Sequence, residues 1–236
     1  MKRSTFLSHL REVFAPIVKI LDRLIIEPIR YGRGKRYSAE KYWRNRFRKF
    51  GMSLQASANR QLTEQENEIF YRATTQSFLA VLEQENIDLS GCRVLDIGCG
   101  TGYYTRFFQQ QDVCDYTGLD ITDFLFPELR KAFKEYRFLK HDITKEPLVG
   151  IFDCVIMLDV IEHIIDISSL DFALHTVLEG LSDRGVLILA PIMDKARKKL
   201  SYVRYWTLEE LKPLLDGYRI TTSMPFPDGT IVAVRR

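Results

Sequence analysis

The segment Val94–Gly102, VLDIGCGTG, sets glycines at 98, 100 and 102 directly behind an apolar run. Glycines at that junction let a ligand touch the backbone where a strand hands over to a helix. Asp96 lies two residues before the first glycine, and two more acids close later apolar runs: Asp120 in YTGLD and Asp142 in RFLKHD. A dinucleotide loop would read G-x-G-x-x-G, with its pyrophosphate over the helix N-terminus. Here the pattern is G-x-G-x-G, and Asp96 beside a pyrophosphate would be costly unless neutralised. No G-K-[ST] follows, which excludes a P-loop. The loop suits a ligand with a cationic end and no phosphate.

The other two acids narrow the ligand further. A carboxylate at Asp120 can accept both hydroxyls of a ribose. Asp142, or the backbone beside it, can meet an adenine edge including its amino group. Together the acids call for adenosine joined to a zwitterionic amino acid through a positive centre, which is S-adenosylmethionine. Each acid also has a plainer use: Asp120 as a helix N-cap, Asp142 as the cap of the turn that follows it.

A second cluster stands in MLDVIEHI. Asp159, Glu162 and His163 fall at i, i+3 and i+4, which share one face of a helix. Such a face could hold a hard divalent metal. Alternatively His163, whose pKa suits neutral pH, could act as base toward an acceptor hydroxyl, or Glu162 and His163 could simply fix the loop by hydrogen bonds. The first acid is a shortened carboxylate and no further ligand is evident nearby. The expectation is therefore a metal-independent site with His163 in the catalytic role. Cys154, inside the run FDCVIM, reads as a packed thiol.

The elements that must position these residues are legible from periodicity. From residue 92, short apolar runs (CRVLDIG, YTGLDI, RFLKHD, FDCVIML, GVLILAPI) alternate with helical stretches at 101–110, 122–135, 160–182 and 207–215. That alternation predicts a doubly wound α/β sheet. The tail, YRITTSM and TIVAVRR around PFPDG, predicts an antiparallel hairpin at the sheet edge. Upstream, residues 62–85 open with a capping box, Thr63 and Glu66, and present Ile69, Phe70, Phe78, Leu79 and Leu82 as the apolar face. Residues 193–205 read as a basic loop, with Lys195, Arg197, Lys198, Lys199 and Arg204 available to an anionic acceptor.

The 236 residues carry a net charge of +3, unevenly spread: residues 1–50 hold 14 Lys/Arg against 4 Asp/Glu. Within residues 1–30, Phe6, Leu10, Val13, Phe14, Ile17, Leu21, Leu24 and Ile25 recur at helical spacing, interrupted by Pro16 and Pro28. Charges break this stretch too often for a transmembrane span or a signal peptide. A membrane surface or a protein is the expected contact of residues 1–50, ahead of nucleic acid, although Tyr42, Trp43 and Phe47 among the cations would suit base stacking. Four cysteines without CxxC pairing fit a reducing compartment, and a cytoplasmic location with peripheral membrane association is expected.

Over residues 62–236 the chain resembles the class I S-adenosylmethionine-dependent methyltransferases, through VLDIGCGTG (94–102), GLDIT (118–122), HDI (141–143), FDCVIMLDVIEHI (152–164), RGVLILAPI (184–192) and YWTLEELKPLL (205–215). The resemblance implies a Rossmann-like sheet of seven strands in the order 3-2-1-4-5-7-6, the last antiparallel, preceded by an N-terminal helical extension at 1–61. It also implies a cofactor site. Asp96, Gly98, Cys99, Gly100 and Gly102 would face the methionine part, with Leu158 and Asp159 on the same side. Asp120 would meet the ribose and Asp142 with Ile143 the adenine, with Ile121 also in the cofactor site. The implied activity is methyl transfer from S-adenosylmethionine to a small-molecule or lipid-like acceptor, most often at oxygen. An RNA or protein methyltransferase using the basic arm, and a non-enzymatic cofactor-binding subunit, are the alternatives.

Overall fold

A computed structural model describes residues 22–200 and 202–236. Most of the amphipathic pattern read in residues 1–30 lies outside the described residues.

A π-turn at Asp22–Ile26 runs into a short helix, α1 (Glu27–Tyr31). Helices α2 (Ala39–Phe50), α3 (Leu54–Ser57) and α4 (Glu64–Gln84) follow, before β1 (Arg93–Ile97) and α5 (Tyr103–Gln110). Next come β2 (Asp115–Asp120), α6 (Phe126–Ala132), β3 (Arg137–Lys140), β4 (Phe152–Leu158), α7 (Ile167–Glu179) and β5 (Leu181–Ile192). The chain closes with β6 (Arg197–Leu200), β7 (Val203–Tyr205), α8 (Leu208–Leu211), β8 (Arg219–Phe226) and β9 (Gly229–Arg235).

Seven strands form one sheet in the order β3-β2-β1-β4-β5-β9-β8. The first five are parallel and β9 is antiparallel to both neighbours. Counted in chain order within the sheet, this is the predicted 3-2-1-4-5-7-6. Alternation along each strand builds two cores. Val94, Tyr116, Cys154 and Ile156 pack under α4, α5 and α6, with Phe78, Phe108 and Leu129 above them. Leu95, Ile97, Val155 and Met157 face the other way, against Leu170, Leu174 and Val177 of α7 and against Trp206. Cys154 is fully buried, as its place in the strand requires.

Three local expectations are corrected. The helix read over 160–182 is a 3₁₀ turn at Ile161–His163, then α7, then the start of β5. The buried side of α4 is rotated from the predicted one: Asn67, Tyr71 and Thr74 are buried, while Ile69 and Leu79 are exposed. This helix lies over a polar loop, with Asn67 accepting from the Asn59 amide and donating to the Asn59 carbonyl. Residues 193–205 are not simply a loop, because β6 and β7 pair antiparallel there.

The described part of the N-terminal extension packs onto the body. Glu64 accepts from the Leu54 amide at 2.8 Å, and Arg44 and Glu40 of α2 form ion pairs with Asp123 at 3.0 Å and Lys140 at 2.5 Å, beyond β2 and at the end of β3. These exposed pairs contribute little stability each, but they register α2 across the carboxyl ends of the strands.

Candidate active site

The carboxyl ends of β1, β2, β3 and β4 open into a cavity of about 700 Å³, roofed by the chain from Gly34 to Ser57. In a doubly wound sheet this is the edge where ligands bind, and the volume is that of a small-molecule site.

Its floor is the glycine loop between β1 and α5. The amides of Gly98 and Cys99 both donate to the Leu119 carbonyl, at 2.8 and 2.9 Å, which folds the loop back over β2. Gly98 has φ +80°, and a Cβ there would run into the Val160 side chain. Gly102 also has φ +80°, and a Cβ would meet Leu129 Cδ2 at 2.6 Å. Glycine is thus required at both ends, once for the cavity side and once for packing α5 on α6.

The structure brings Gly98, Gly100, Asp120, Ile121, Asp142 and Ile143 to the cavity wall, together with Leu158, Asp159 and His163. Asp96, Cys99 and Gly102 do not line it. Asp96 is buried and accepts from the Tyr116 hydroxyl at 2.7 Å, and Thr105 in turn lies 2.7 Å from that hydroxyl. Cys99 turns down onto Gly118, at a distance that leaves no room for a side chain there. These two residues shape the loop from beneath.

Asp120 ends β2 with both carboxylate oxygens held. Oδ2 accepts from the Gly100 amide and Oδ1 from the Thr122 amide, each at 3.1 Å. Burial pushes this carboxyl up to about 6, against the pull of those amides. Burial likewise lifts Asp96 to about 7, against the Tyr116 hydroxyl and with the charge of Asp120 adding to the rise. Asp142 behaves oppositely. Its partial burial would raise it, but Lys145 at 2.5 Å and the Thr144 hydroxyl and amide hold it below the ordinary carboxylate range. The turn cap foreseen for Asp142 is therefore present, and its carboxylate is already engaged.

Asp159, Glu162 and His163 do not share a helical face. Asp159 sits at φ +57°, so the chain turns before the 3₁₀ turn begins. Among the described residues no group of three His, Cys, Asp or Glu side chains is arranged to hold a metal ion. Burial and the charge of Asp228 raise Asp159, while burial followed by Asp159 raises Glu162. His163 lines the cavity, with Nδ1 3.2 Å from the Tyr202 carbonyl and Nε2 3.9 Å from Glu162. A carbonyl only accepts, so Nδ1 carries the proton and Nε2 keeps its lone pair. Burial pushes the imidazole down to about 4, so it is neutral at physiological pH. The Trp206 indole donates to the carbonyls of Ile161 and Ile164, at 3.1 and 3.0 Å, and so clamps both ends of the turn that carries His163.

The N-terminal helices supply the roof, as acceptor-shaping elements are expected to, through residues that the sequence does not single out for that use. Tyr37, Trp43, Phe47, Ser57 and Tyr71 line the cavity. Trp43 meets His163 edge to face at 5.0 Å. Ser57 lies 3.2 Å from Thr101 Oγ1 and accepts from the Tyr71 hydroxyl at 3.3 Å, tying the roof to the glycine loop. The base-stacking use of Tyr42 and Phe47 is corrected: both are 2% exposed and pack internally. The acceptor role of the basic segment is corrected for three of its five cations, while the side chains of Lys198 and Lys199 lie outside the described ones. Neither Lys195, Arg197 nor Arg204 lines the cavity, and Arg204 is spent on Glu210 at 2.9 Å and on the face of Trp206.

Comparison with known proteins adds the following. A family described as a methyltransferase domain matches residues 41–218. Malonyl-[acyl-carrier protein] O-methyltransferase of Pectobacterium atrosepticum is 30% identical over 115 residues, 48% of this chain and 43% of that protein. The chain thus spans less than half the length of this curated relative. Magnesium protoporphyrin IX methyltransferase of Synechocystis PCC 6803, solved with bound SAM, aligns with a TM-score of 0.64 at 19% identity, over 86% of this chain and 100% of that one. The SAH complex of DhpI aligns at 0.61 and 17% identity, over 84% and 94%. At these identities the structural likeness is one of fold. Among the described residues no helix is long and apolar enough to cross a membrane.

Proposed function

We infer the reaction from one premise: the chain belongs to the S-adenosylmethionine-dependent methyltransferases of class I. It is an enzyme that takes its methyl group from S-adenosylmethionine. The finer reading is that the acceptor is a small or lipid-like molecule methylated at a hydroxyl oxygen, with His163 receiving the hydroxyl proton.

The residues at the cavity fit the cofactor. A floor of Gly98 and Gly100 on the cavity wall offers a ligand backbone to lie against. Asp120 has a buried carboxylate with one backbone donor on each oxygen, which leaves lone pairs for ribose hydroxyls. Ile121 and Ile143 would flank the adenine, with Asp142 holding the turn beside it. Leu158, Asp159, Gly98 and Gly100 would meet the methionine end, with Asp96, Cys99 and Gly102 setting the loop that carries it. When bound, S-adenosylmethionine supplies an activated methyl on a sulfonium, so the protein has mainly to align the acceptor and exclude water.

One observation carries the choice of oxygen: His163 is on the cavity wall with Nδ1 held by the Tyr202 carbonyl, which leaves the Nε2 lone pair as its acceptor. A neutral imidazole so fixed can orient an acceptor hydroxyl and take its proton as the methyl arrives. Aromatic walls at Tyr37, Trp43 and Phe47 favour an apolar or ring-bearing acceptor. The division into a methyltransferase body at 62–236 and an extension at 1–61 is functional in this reading: the extension closes the acceptor side.

The test is incubation with methyl-labelled S-adenosylmethionine and fractionated cell extract. Label is expected in the lipid or small-molecule pool, and label confined to RNA or protein would overturn the acceptor assignment.

Affinity for the cofactor should also depend on pH through Asp120. Its pKa of about 6 in the free protein must fall when hydroxyl donors bind the carboxylate, so binding releases a proton below that value. The dissociation constant should be flat above pH 7 and weaken by about ten-fold per pH unit below 6. Calorimetry from pH 5 to 8 reads this directly, and a flat profile would place Asp120 outside the site.

A further inference from the structure

The segment Leu24–Ile29 is folded inside out. Glu27 is 4% exposed and paired with Arg60 at 2.6 Å, whereas Leu24, Ile25, Ile26 and Ile29 are 44–78% exposed. A short helix normally buries its apolar residues and leaves its acid in water. Here the buried ion pair anchors the helix to the body through its one carboxylate, and that anchoring turns the four aliphatic side chains outward. Four exposed aliphatic side chains within six residues mark a contact surface.

Charge and position indicate its occupant. Arg30, Arg33 and Arg36 follow the patch directly and are exposed. Gly34 among them, and Tyr37 and Ser38 directly after, already line the cavity. The chain therefore passes from an outward apolar face, through a cationic turn, to the acceptor side of the site within fifteen residues. A second copy seated on this patch by two-fold symmetry would bring two arginine clusters together, which is unfavourable. A nucleic acid would use the arginines but leave the aliphatic residues in water. Aliphatic side chains beside exposed arginines match the acyl boundary and the headgroups of an anionic bilayer.

We propose that Leu24, Ile25, Ile26 and Ile29 seat the protein on an anionic lipid surface, with Arg30, Arg33 and Arg36 against the headgroups, so that the acceptor side of the cavity opens at the bilayer. This rests on the lipid-like acceptor reading for its purpose but is tested apart from it.

The experiment is flotation of the full chain with vesicles of phosphatidylcholine containing phosphatidylglycerol, and with vesicles of phosphatidylcholine alone, at low and high salt. The double variants Ile25→Ser/Ile29→Ser and Arg30→Gln/Arg36→Gln are run alongside, with S-adenosylhomocysteine calorimetry reporting the fold. The wild type should float with the anionic vesicles and release at high salt, and each variant should bind at least about ten-fold more weakly with unchanged cofactor affinity. If the aliphatic pair disturbs cofactor binding, the arginine pair and the single Ile29→Ser variant decide. Wild type that stays unbound, variants that bind as wild type does, or an aliphatic variant that abolishes a dimer instead of vesicle binding would each overturn the proposal. Vesicle binding without methyl transfer to any acceptor would leave the surface standing and remove the acceptor reading; transfer to a water-soluble acceptor without vesicle binding would do the reverse.

Discussion

Replacing His163 by alanine is expected to slow methyl transfer by about 10²–10⁴-fold while leaving cofactor affinity unchanged. The split follows from position. His163 stands on the 3₁₀ turn after β4, under Trp43 of the roof, whereas Asp120 and the glycine loop lie at the ends of β1 and β2. With Nδ1 fixed by the Tyr202 carbonyl, the lone pair on Nε2 is the one basic feature the side chain can offer. Burial that lowers the pKa to about 4 keeps it available as a neutral acceptor, at the cost of thermodynamic strength as a base. That weakness is tolerable because the acceptor proton becomes acidic only as the methyl arrives.

His163→Gln separates two meanings of this result. Glutamine can orient a hydroxyl but cannot take its proton, so a base role predicts that Gln fails with Ala, and an orienting role predicts partial rescue. The loss should be read against thermal unfolding, because an alanine variant that loses stability and keeps its rate would make His163 a packing residue beside Trp43. Chelators should leave the rate unchanged. Activity abolished by a chelator and restored by Mg²⁺ would return Asp159, Glu162 and His163 to the ligand role that their spacing first suggested.

That spacing shows where sequence reading fails. MLDVIEHI has the i, i+3, i+4 signature of a helix face, yet Asp159 turns the backbone to φ +57° and breaks the helix before it starts. Periodicity carries no signal for a single left-handed aspartate. The sheet, by contrast, was legible because each strand needs only alternation: Val94 and Leu95 point into different cores, and so do Cys154 and Val155. Helix α4 was misjudged by rotation because its inner face is partly polar, with Asn67 and Thr74 bonded to loop and hydroxyl partners that a count of aliphatic residues ignores. In the roof, composition hides which aromatics face the cavity. Tyr42, Trp43 and Phe47 stand among cations, but α2 buries Tyr42 in the packing and sets Trp43 and Phe47 on the cavity wall. Alternating cations and aromatics along a helix should be read for amphipathicity before base stacking. Asp96 was legible as important but not as occupied, because its partner Tyr116 lies on the neighbouring strand.

Substitution of Asp120 should weaken S-adenosylmethionine binding by about 1–3 kcal/mol, roughly 5–150-fold, through lost charge-assisted hydrogen bonds. The structure adds that asparagine will not spare the site. Asp120 accepts one backbone amide on each oxygen, Gly100 on one side and Thr122 on the other. An asparagine has one oxygen, so its NH₂ would be forced against a second N–H donor, and one of the two amides would lose its partner. If that amide is Gly100, the loop keeps the Gly98 and Cys99 bonds to the Leu119 carbonyl but loses the third of its ties to the end of β2. Asp120→Asn should therefore cost about as much as Asp120→Ala, whereas a residue that served only as a ribose partner would be partly replaced by the amide. Asp120→Glu keeps both oxygens but moves them outward by one methylene, and should recover charge without recovering the loop contact. The measurement is calorimetry of the three variants at pH 7.5 with S-adenosylhomocysteine. Equal losses for Asn and Ala support a carboxylate that holds loop and ligand together. Unchanged affinity in all three would remove Asp120 from the cofactor site.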